Sequence, residues 1–194
     1  AVTTGQGDSG DTDVIFLKGI GQKHQGLEIE GSMKLNDMIR LDGAVSFGKW
    51  KFDGDADGLY TEYDEEAPKQ TSYTYTLDGL FVGDQPQTAY VLGTTLTPID
   101  GLRLQGIFKM YDKNYADWSP DSRELSGDAD RSQVWQAPAY NRLDLHASYK
   151  LPKVAGYDMT LTGHLFNALD AVYVQDAVDN SQYNGFGDKL HLAH

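Results

Sequence analysis

The segment from Tyr140 to Leu151, with the sequence YNRLDLHASYKL, decides the fold class of this chain. Its even-numbered positions are polar or aromatic, and its odd-numbered positions are apolar from Leu143 onward. Successive side chains of a β-strand point to opposite sides of the sheet, so such a strand has one polar face and one apolar face. The alternation therefore predicts a strand that separates two different environments.

Four further segments alternate between apolar and polar residues in the same way: 27–34, 39–48, 102–111 and 159–166. Ile107 and Phe166 are apolar exceptions on the polar side, and segment 88–96 does not reveal which of its sides is apolar. These patterns predict about six strands, several of them longer than the ~5–6 residues typical of globular proteins. We expect them at residues 14–35, 38–52, 71–97 with a break near Gly83, 101–113, 139–151 and 157–174.

The connections between the predicted strands differ in length. Short polar turns at 36–37, 97–100 and 152–156 alternate along the chain with long polar stretches at 53–70, 114–138 and 175 onward. In an antiparallel up-and-down meander every second connection lies at the same end, so one end carries tight turns and the other carries long loops. This asymmetry is typical of transmembrane β-barrels. Aromatic residues, among them Trp50, Tyr111 and Tyr140, cluster near the long-loop ends, which predicts a membrane interface there.

Composition and charge exclude several classes of function. The 194 residues fit one domain or one piece of a larger protein. With 29 acidic and 16 basic residues, the net charge of −13 excludes general nucleic-acid binding, which requires a basic surface. Cysteine is absent from the chain, which excludes disulfide bonds and thiol chemistry. No apolar run is long enough for a membrane helix.

The alternating pattern by itself also fits two other kinds of protein. One is a passive porin, and the other is a soluble, acidic β-sandwich that binds carbohydrate, since sandwiches also alternate and bury aromatic residues. A sandwich covers its apolar face with a second layer of the same chain, whereas a barrel leaves that face to lipid. Catalysis is not expected, because Asp144 and His146 share a strand face without a nucleophile motif nearby.

A series of motifs, taken in order, resembles the C-terminal part of the barrel of TonB-dependent outer-membrane receptors. The segments are KHQGLEIE at 23–30, GDQPQ at 83–87, GLRL at 101–104, PAYNRLDL at 138–145 and FNALDAVY at 166–173. The last segment is similar to the family's Asn-x-(Leu/Phe)-Asp-x-x-Tyr signature. Leu143-Asp144-Leu145, ahead of Tyr149, is similar to the family's antepenultimate strand.

The resemblance implies an all-β fold, an antiparallel up-and-down meander that is part of a transmembrane barrel of about 22 strands. It implies energy-coupled uptake of a scarce nutrient across the bacterial outer membrane, such as an iron chelate of the siderophore type, cobalamin or a glycan, with extracellular long loops. The implied partners are the rest of the barrel and its plug, a TonB-type coupling protein, membrane lipid, the nutrient and a surface lipoprotein. An open sheet would leave two unpaired edges in lipid, so we expect residues 1–194 to be a barrel fragment. Compared with the family that it resembles, this fragment is expected to be without the plug domain and the final strand.

Nine polar side chains are expected to face the barrel lumen: Glu28, Glu30, Arg40, Asp42, Arg103, Lys109, Arg142, Asp144 and His146. Alternation places them opposite the apolar side, and an Arg or Lys facing lipid near the midplane would cost about 2–4 kcal/mol. Aromatic residues of the long loops are expected either to contact the ligand or to pack the loops: Tyr60, Tyr63, Trp118, Trp135 and Tyr183.

An acidic segment opens the first long loop and matches the first half of a calcium-binding loop. Asp53, Asp55 and Asp57 alternate ahead of Gly58, and Asp64 takes the twelfth position, where the pattern has a bidentate Glu. Oxygen ligands of this kind are those that Ca²⁺ prefers. The sequence leaves two interpretations open, a Ca²⁺ ion that orders the loop or a solvated acidic loop.

Overall fold

The computed structural model describes residues 2–6, 12–62, 67–118, 123, 131–153, 155–180 and 190–193. The regular elements within these ranges are all β-strands. In chain order they are β1 (Val2–Gln6), β2 (Thr12–Lys18), β3 (Gln22–Lys34), β4 (Ile39–Phe52), β5 (Ala56–Glu62), β6 (Lys69–Tyr75), β7 (Thr88–Ile99), β8 (Leu102–Asp112), β9 (Asn114–Tyr115), β10 (Asp117–Trp118), β11 (Gln136–Ala137), β12 (Tyr140–Lys150), β13 (Thr160–Leu165), β14 (Ala177–Asn180) and β15 (Leu190–Ala193). The same ranges include no helix that is long and apolar enough to cross a membrane.

Six strands form one antiparallel sheet in the order β3-β4-β7-β8-β12-β13, which we call the meander. Each strand pairs with the one that precedes or follows it in this order, so the predicted up-and-down arrangement is confirmed. Short turns join β3 to β4, β7 to β8 and β12 to β13, all at one end. The tightest of them is Asp100-Gly101, where Gly101 adopts a φ of 82° that favours glycine.

Two predicted strands are each divided in the structure. The expected strand 14–35 is split at Gly19, where φ is 74°, so that β2 leaves the meander and joins a second sheet, β1-β2-β5-β6. The expected strand 71–97 is divided into β6 and β7. The break includes Gly83, as expected, but it extends over all of residues 76–87. Just before β7, the buried side-chain amide of Gln87 exchanges two hydrogen bonds with the backbone of Trp50, at 3.0 and 3.1 Å.

The register of the meander places apolar and polar residues in separate rows across the sheet. Ile29, Val45, Tyr90 and Met110 lie directly opposite one another on successive strands. Residues opposite each other share a face, so segment 88–96 turns Tyr90, Leu92 and Leu96 to the apolar face. The register thus resolves the one segment whose apolar side the sequence does not reveal.

The apolar face of the meander is open along its length. Leu27, Leu92 and Leu161 are 58%, 54% and 66% exposed, and Leu145 is 40% exposed. Within the described ranges, the strands make their extensive contacts with hydrogen-bonded neighbours, and none packs extensively across this face. A β-sandwich requires a second layer at that position, which this part of the chain does not supply.

The buried apolar core lies beyond the long-loop end of the meander. Its fully or nearly buried members are Phe52, Ala56, Tyr75, Leu77, Leu80, Tyr115 and Val134. The sheet β1-β2-β5-β6, residues 76–87, β9 to β11 and residues 131–135 make up this region, which we call the loop cap. The segment expected as a polar loop, 53–70, contains β5 and the first residues of β6. Leu59 and Tyr60 of β5 pair with Ser72 and Thr71 of β6 and form a β-hairpin.

Three aromatic residues at the long-loop ends of the strands lie on the polar face. Tyr111 lies opposite Ala89, in the row of Glu28, Tyr140 lies opposite Tyr111, and Trp50 lies on the same face opposite His24. A membrane interface at this end stays a prediction. Phe47 and Tyr90 occupy the apolar face near this end and pack edge to face at 5.6 Å.

Candidate functional site on the polar face

All nine residues expected in the lumen lie on the polar face of the meander. Strand β3 carries Glu28 and Glu30, β4 carries Arg40 and Asp42, β8 carries Arg103 and Lys109, and β12 carries Arg142, Asp144 and His146. Alternation along each strand and direct pairing across strands put them in rows on one surface. The structure brings three of them, Lys109, Arg142 and Asp144, into direct contact.

Asp144 is the centre of this ionic cluster and is only 2% exposed. Its Oδ2 atom accepts hydrogen bonds from Lys109 Nζ at 3.1 Å and from Arg142 Nη2 at 3.2 Å. Its Oδ1 atom accepts a third bond from the backbone N–H of Asn167 at 3.0 Å. One carboxylate thus joins β8, β12 and the segment that follows β13.

The signature segment 166–173 folds into a turn against β12. The Asn167 side chain closes the turn, because it accepts a bond from the Ala171 N–H at 3.1 Å and donates one to the Ala171 carbonyl at 3.0 Å. Tyr173 then stacks on Tyr140 at 4.3 Å, and Arg142 Nη1 donates to its hydroxyl at 3.4 Å. The Asn and Tyr of the signature therefore hold segment 166–173 against β12. The sequence motif singled out these two residues but did not predict this role.

A cleft of about 470 Å³ opens on the polar face between β3, β4, β7 and β8. Its charged rim includes Glu30, Arg40 and Asp42, and the Arg40 guanidinium donates to Asp42 Oδ1 at 2.7 and 2.9 Å. Gly93 and Ile107 form part of its floor. Ile107, the apolar exception of β8, therefore lines this cleft on the polar face, opposite Gly93 and Asp144.

Two histidines meet on the polar face although sequence reasoning singled out only one of them. His146 on β12 lies directly opposite His164 on β13, and their Nδ1 atoms are 2.8 Å apart. Phe166, the apolar exception of β13, packs against both imidazole rings, at 5.6 and 6.1 Å between ring centroids. The pairing depends on the register between β12 and β13, which the sequence does not specify.

The predicted ligand-contacting aromatic residues lie in the loop cap where the structure describes them. Trp118 packs against Phe52 and Tyr75, at centroid distances of 6.4 and 6.0 Å, and Tyr60 packs against Tyr73 at 6.3 Å. Tyr60, Trp118 and Trp135 are all half-buried. They therefore pack the loop cap and keep part of their surface in solvent. Tyr63 and Tyr183 lie outside the described residues.

The acidic segment of the first long loop fixes the backbone of the loop cap. Asp55 Oδ1 accepts hydrogen bonds from the N–H groups of Leu77 and Asp78, and its Oδ2 pairs with Arg131 at 3.1 Å. The hydrogen bond from the Asp78 N–H, the charge and hydrogen bond of Arg131, and the Leu77 N–H together lower the pKa of Asp55.

The other acidic residues of the segment are not gathered around Asp55. Asp57 belongs to β5 and accepts a bond from the Thr74 hydroxyl at 3.1 Å, while Asp53 is exposed. Asp64 lies outside the described residues, and the described part of the chain shows no group of three or more acidic or histidine side chains arranged for a metal ion. Calcium binding stays a prediction.

Three carboxyl groups from distant parts of the sequence meet in the loop cap. Burial and the neighbouring carboxylates of Asp117 and Asp176 raise the pKa of Asp84 to about 7, and burial raises the pKa of Asp117. Asp84 itself has a φ of 65°, and a Cβ on the preceding Gly83 would come within 2.5 Å of Asp117 Oδ1. The close approach of these segments therefore depends on glycine at position 83.

A long antiparallel meander with an uncovered apolar face, a charged opposite face, short turns at one end and a loop cap at the other is the wall of a transmembrane β-barrel. The chain belongs to the TonB-dependent receptor-like β-barrel family, whose family model matches residues 1–168. Its members are transporters of the outer membrane of Gram-negative bacteria, and in general they function with a plug, a TonB-type protein and membrane lipid. No curated protein and no solved structure matches the chain.

Proposed function

We propose that the chain forms part of the wall of a receptor for energy-coupled uptake of a scarce nutrient, such as an iron chelate, cobalamin or a glycan, and that its polar face lines the lumen. The observation that carries the proposal is the position of the nine predicted charged and histidine residues on one face, opposite the open apolar face. Basic residues on the lipid side would each cost about 2–4 kcal/mol near the midplane. The polar face therefore belongs next to water and the plug.

The two outer strands of the meander support a larger barrel. Within the described residues, β3 pairs only with β4, and β13 pairs only with β12. An unpaired backbone edge in hydrocarbon costs several kcal/mol per polar group. We therefore propose that further strands of the same barrel pair with β3 and β13.

The loop cap is proposed to be extracellular and to provide part of the ligand site. Tyr60, Trp118 and Trp135 keep part of their aromatic surface in solvent, and such rings suit the faces of sugars and chelates. The lumen cleft lined by Glu30, Arg40 and Asp42 lies on the proposed path of the nutrient. A surface lipoprotein above the loop cap stays a prediction.

Cysteine labelling on intact cells tests the orientation, because the chain contains no cysteine of its own. A membrane-impermeant maleimide should label Ala67→Cys in the loop cap directly. It should label Lys153→Cys in the β12–β13 turn only after the outer membrane is permeabilised, and the parent receptor is the control for background. The reverse order of labelling would place the loop cap in the periplasm and contradict the proposal.

Uptake measurements separate the receptor from a passive porin. Cells that produce the receptor are supplied with labelled ferric chelates, cobalamin and oligosaccharides, with and without a proton uncoupler. We expect uptake of one of these classes to stop when the proton gradient is dissipated or the coupling protein is deleted. Flux that continues unchanged under both conditions would identify a passive pore instead.

A further inference from the structure

The His146–His164 pair brings two imidazole nitrogens into direct contact on the polar face, apart from the ionic cluster around Asp144. The two residues are direct cross-strand partners, and their Nδ1 atoms face each other at 2.8 Å. The ring planes are inclined at 64°, so the contact is made through the nitrogen atoms and not by stacking. Two neutral imidazole nitrogens at this separation have one proton between them, in a single N–H···N hydrogen bond.

The same separation fits two ligands of one metal ion. Imidazole nitrogens bind transition metals at about 2.0–2.1 Å, so two of them at right angles around the ion lie about 2.8–3.0 Å apart. A tetrahedral angle would separate them by about 3.3–3.4 Å. The hydrogen-bonded separation of 2.8 Å is closer to the square arrangement, which Cu²⁺ favours, and Cu²⁺ is also the divalent ion that nitrogen sites bind most tightly.

The surroundings of the pair leave room for an ion and its remaining ligands. His164 is exposed and His146 is half-buried. Both line an open cleft of about 270 Å³, together with Arg103, Gln105 and Ser148, which water can enter. Phe166 packs beside both rings. Side chains that are already packed lose less conformational entropy when they bind an ion.

We propose that His146 and His164 together form a site for a transition-metal cation on the polar face, with Cu²⁺ preferred over Zn²⁺ and with water as the remaining ligands. The metal ion takes the place of the shared proton, which is released to solvent. Because the site is built from the pair alone, it does not depend on which nutrient the receptor carries.

Titration of the intact receptor in detergent with CuCl₂, followed by electron paramagnetic resonance, tests the proposal. We expect one tightly bound Cu²⁺ with two nitrogen ligands, and His146→Ala or His164→Ala should weaken its binding about tenfold or more. His24→Ala is the matched control, since His24 lies on the same face, stacked on Trp50, and should bind no ion. Unchanged Cu²⁺ affinity in both pair variants, or an equal loss in His24→Ala, would overturn the site.

A measurement on the unmodified sequence avoids any dependence on how the variants fold. Diethylpyrocarbonate modifies free imidazoles, and mass spectrometry identifies each modified residue. We expect CuCl₂ to protect His146 and His164 but not His24, and to protect them at lower concentration than ZnCl₂. Equal modification with and without the metal would refute the site, and protection by Zn²⁺ at lower concentration would refute the square geometry.

A variant of Arg103 distinguishes a metal site from a purely structural role of the histidine pair, because only metal binding would respond to the charge at position 103. Arg103 lines the same cleft, so its positive charge opposes the binding of a cation. Arg103→Gln should therefore tighten Cu²⁺ binding by about threefold at low ionic strength, and this gain should shrink as salt is added. Weaker Cu²⁺ binding in this variant would contradict the proposed position of the ion.

Discussion

Asp144 shows how a single residue organises the polar face. Its carboxylate is almost completely buried and accepts hydrogen bonds from two cations and a backbone N–H. Arg142 and Lys109 keep 30% and 24% of their side chains exposed, so solvent screens part of their charge. The main cost of removing the carboxylate is therefore the half-buried N–H of Asn167 left without its acceptor.

Asp144→Ala is expected to lower the free energy of unfolding by about 2 kcal/mol, because it leaves the Asn167 N–H and two cations without their acceptor. Urea unfolding of the receptor in detergent micelles measures the change. Asp42→Ala is the control, since Asp42 pairs with Arg40 in solvent and should cost less than about 1 kcal/mol. Equal losses in the two variants would show that the burial of Asp144 has no energetic consequence.

At the scale of the strand, the two faces of β7 offer the sharpest comparison. Leu92 lies on the open apolar face, opposite Gly43 and Phe108, while the preceding Val91 lies on the polar face, opposite Ala44 and Lys109. The two residues have similar chemistry and are adjacent in sequence. Only the environment beyond each face distinguishes them.

Leu92→Arg is expected to destabilise the folded receptor in lipid by about 2–4 kcal/mol, because the guanidinium would face hydrocarbon. Val91→Arg puts the same charge on the water-facing side and should cost less than about 1.5 kcal/mol, mostly through repulsion from Lys109. Folding yield into lipid vesicles, read as resistance to protease, measures both. Similar yields for the two variants would contradict the assignment of the faces.

The sequence predicted those parts of the fold in which every second side chain is large and apolar. Strands β3, β4, β8 and β12 follow from that pattern, but β7 contains Gly93, Thr94 and Thr95, whose small side chains fit either environment. Only the pairing of β7 with both neighbours decides its faces. Strand β5 was placed in a loop because polar and acidic residues dominate its surroundings, although the predicted strand 71–97 covered most of its partner β6.

The candidate site was predictable residue by residue, but its contacts were not. Alternation put Asp144 and His146 on the polar face, since that requires only local geometry. The contact between His146 and His164 depends on the register of β12 with β13. A slip of one residue would set His146 against Gly163 and turn His164 to the other face.

In the molecule as a whole, the loop cap ties together connections that are far apart in sequence. Asp84 precedes β7, Asp117 lies in β10 and Asp176 precedes β14, which pairs in parallel with β10. Because the pKa of Asp84 is raised where these groups meet, its protonated form favours the attachment of β14 to β10. As the pH rises from 3.8 towards about 7, Asp84 ionises first in molecules whose β14 is detached, so the attachment loses stability.

The attachment of β14 to β10 is therefore expected to be weaker at pH 8 than at pH 5. Hydrogen–deuterium exchange of the amides in Ala177–Asn180, corrected for intrinsic rates, should be faster at pH 8. Asp176→Asn removes one of the repelling charges and should reduce this pH dependence. Asp158→Asn, in the turn at the opposite end, is the control and should leave the dependence unchanged. A pH dependence that persists fully in Asp176→Asn would contradict the role of the three carboxyl groups.

The apolar core of the loop cap touches the hydrogen-bonded ladder of the meander at Phe52, the last residue of β4. It draws on two connections at once, since Leu77 and Leu80 come from residues 53–87 and Tyr115 and Val134 come from residues 113–139. A protein engineer who wished to redirect the receptor to a new cargo would therefore transplant both stretches together as one cassette. Grafting either stretch alone would divide the core between two unrelated parents and expose half of it to water.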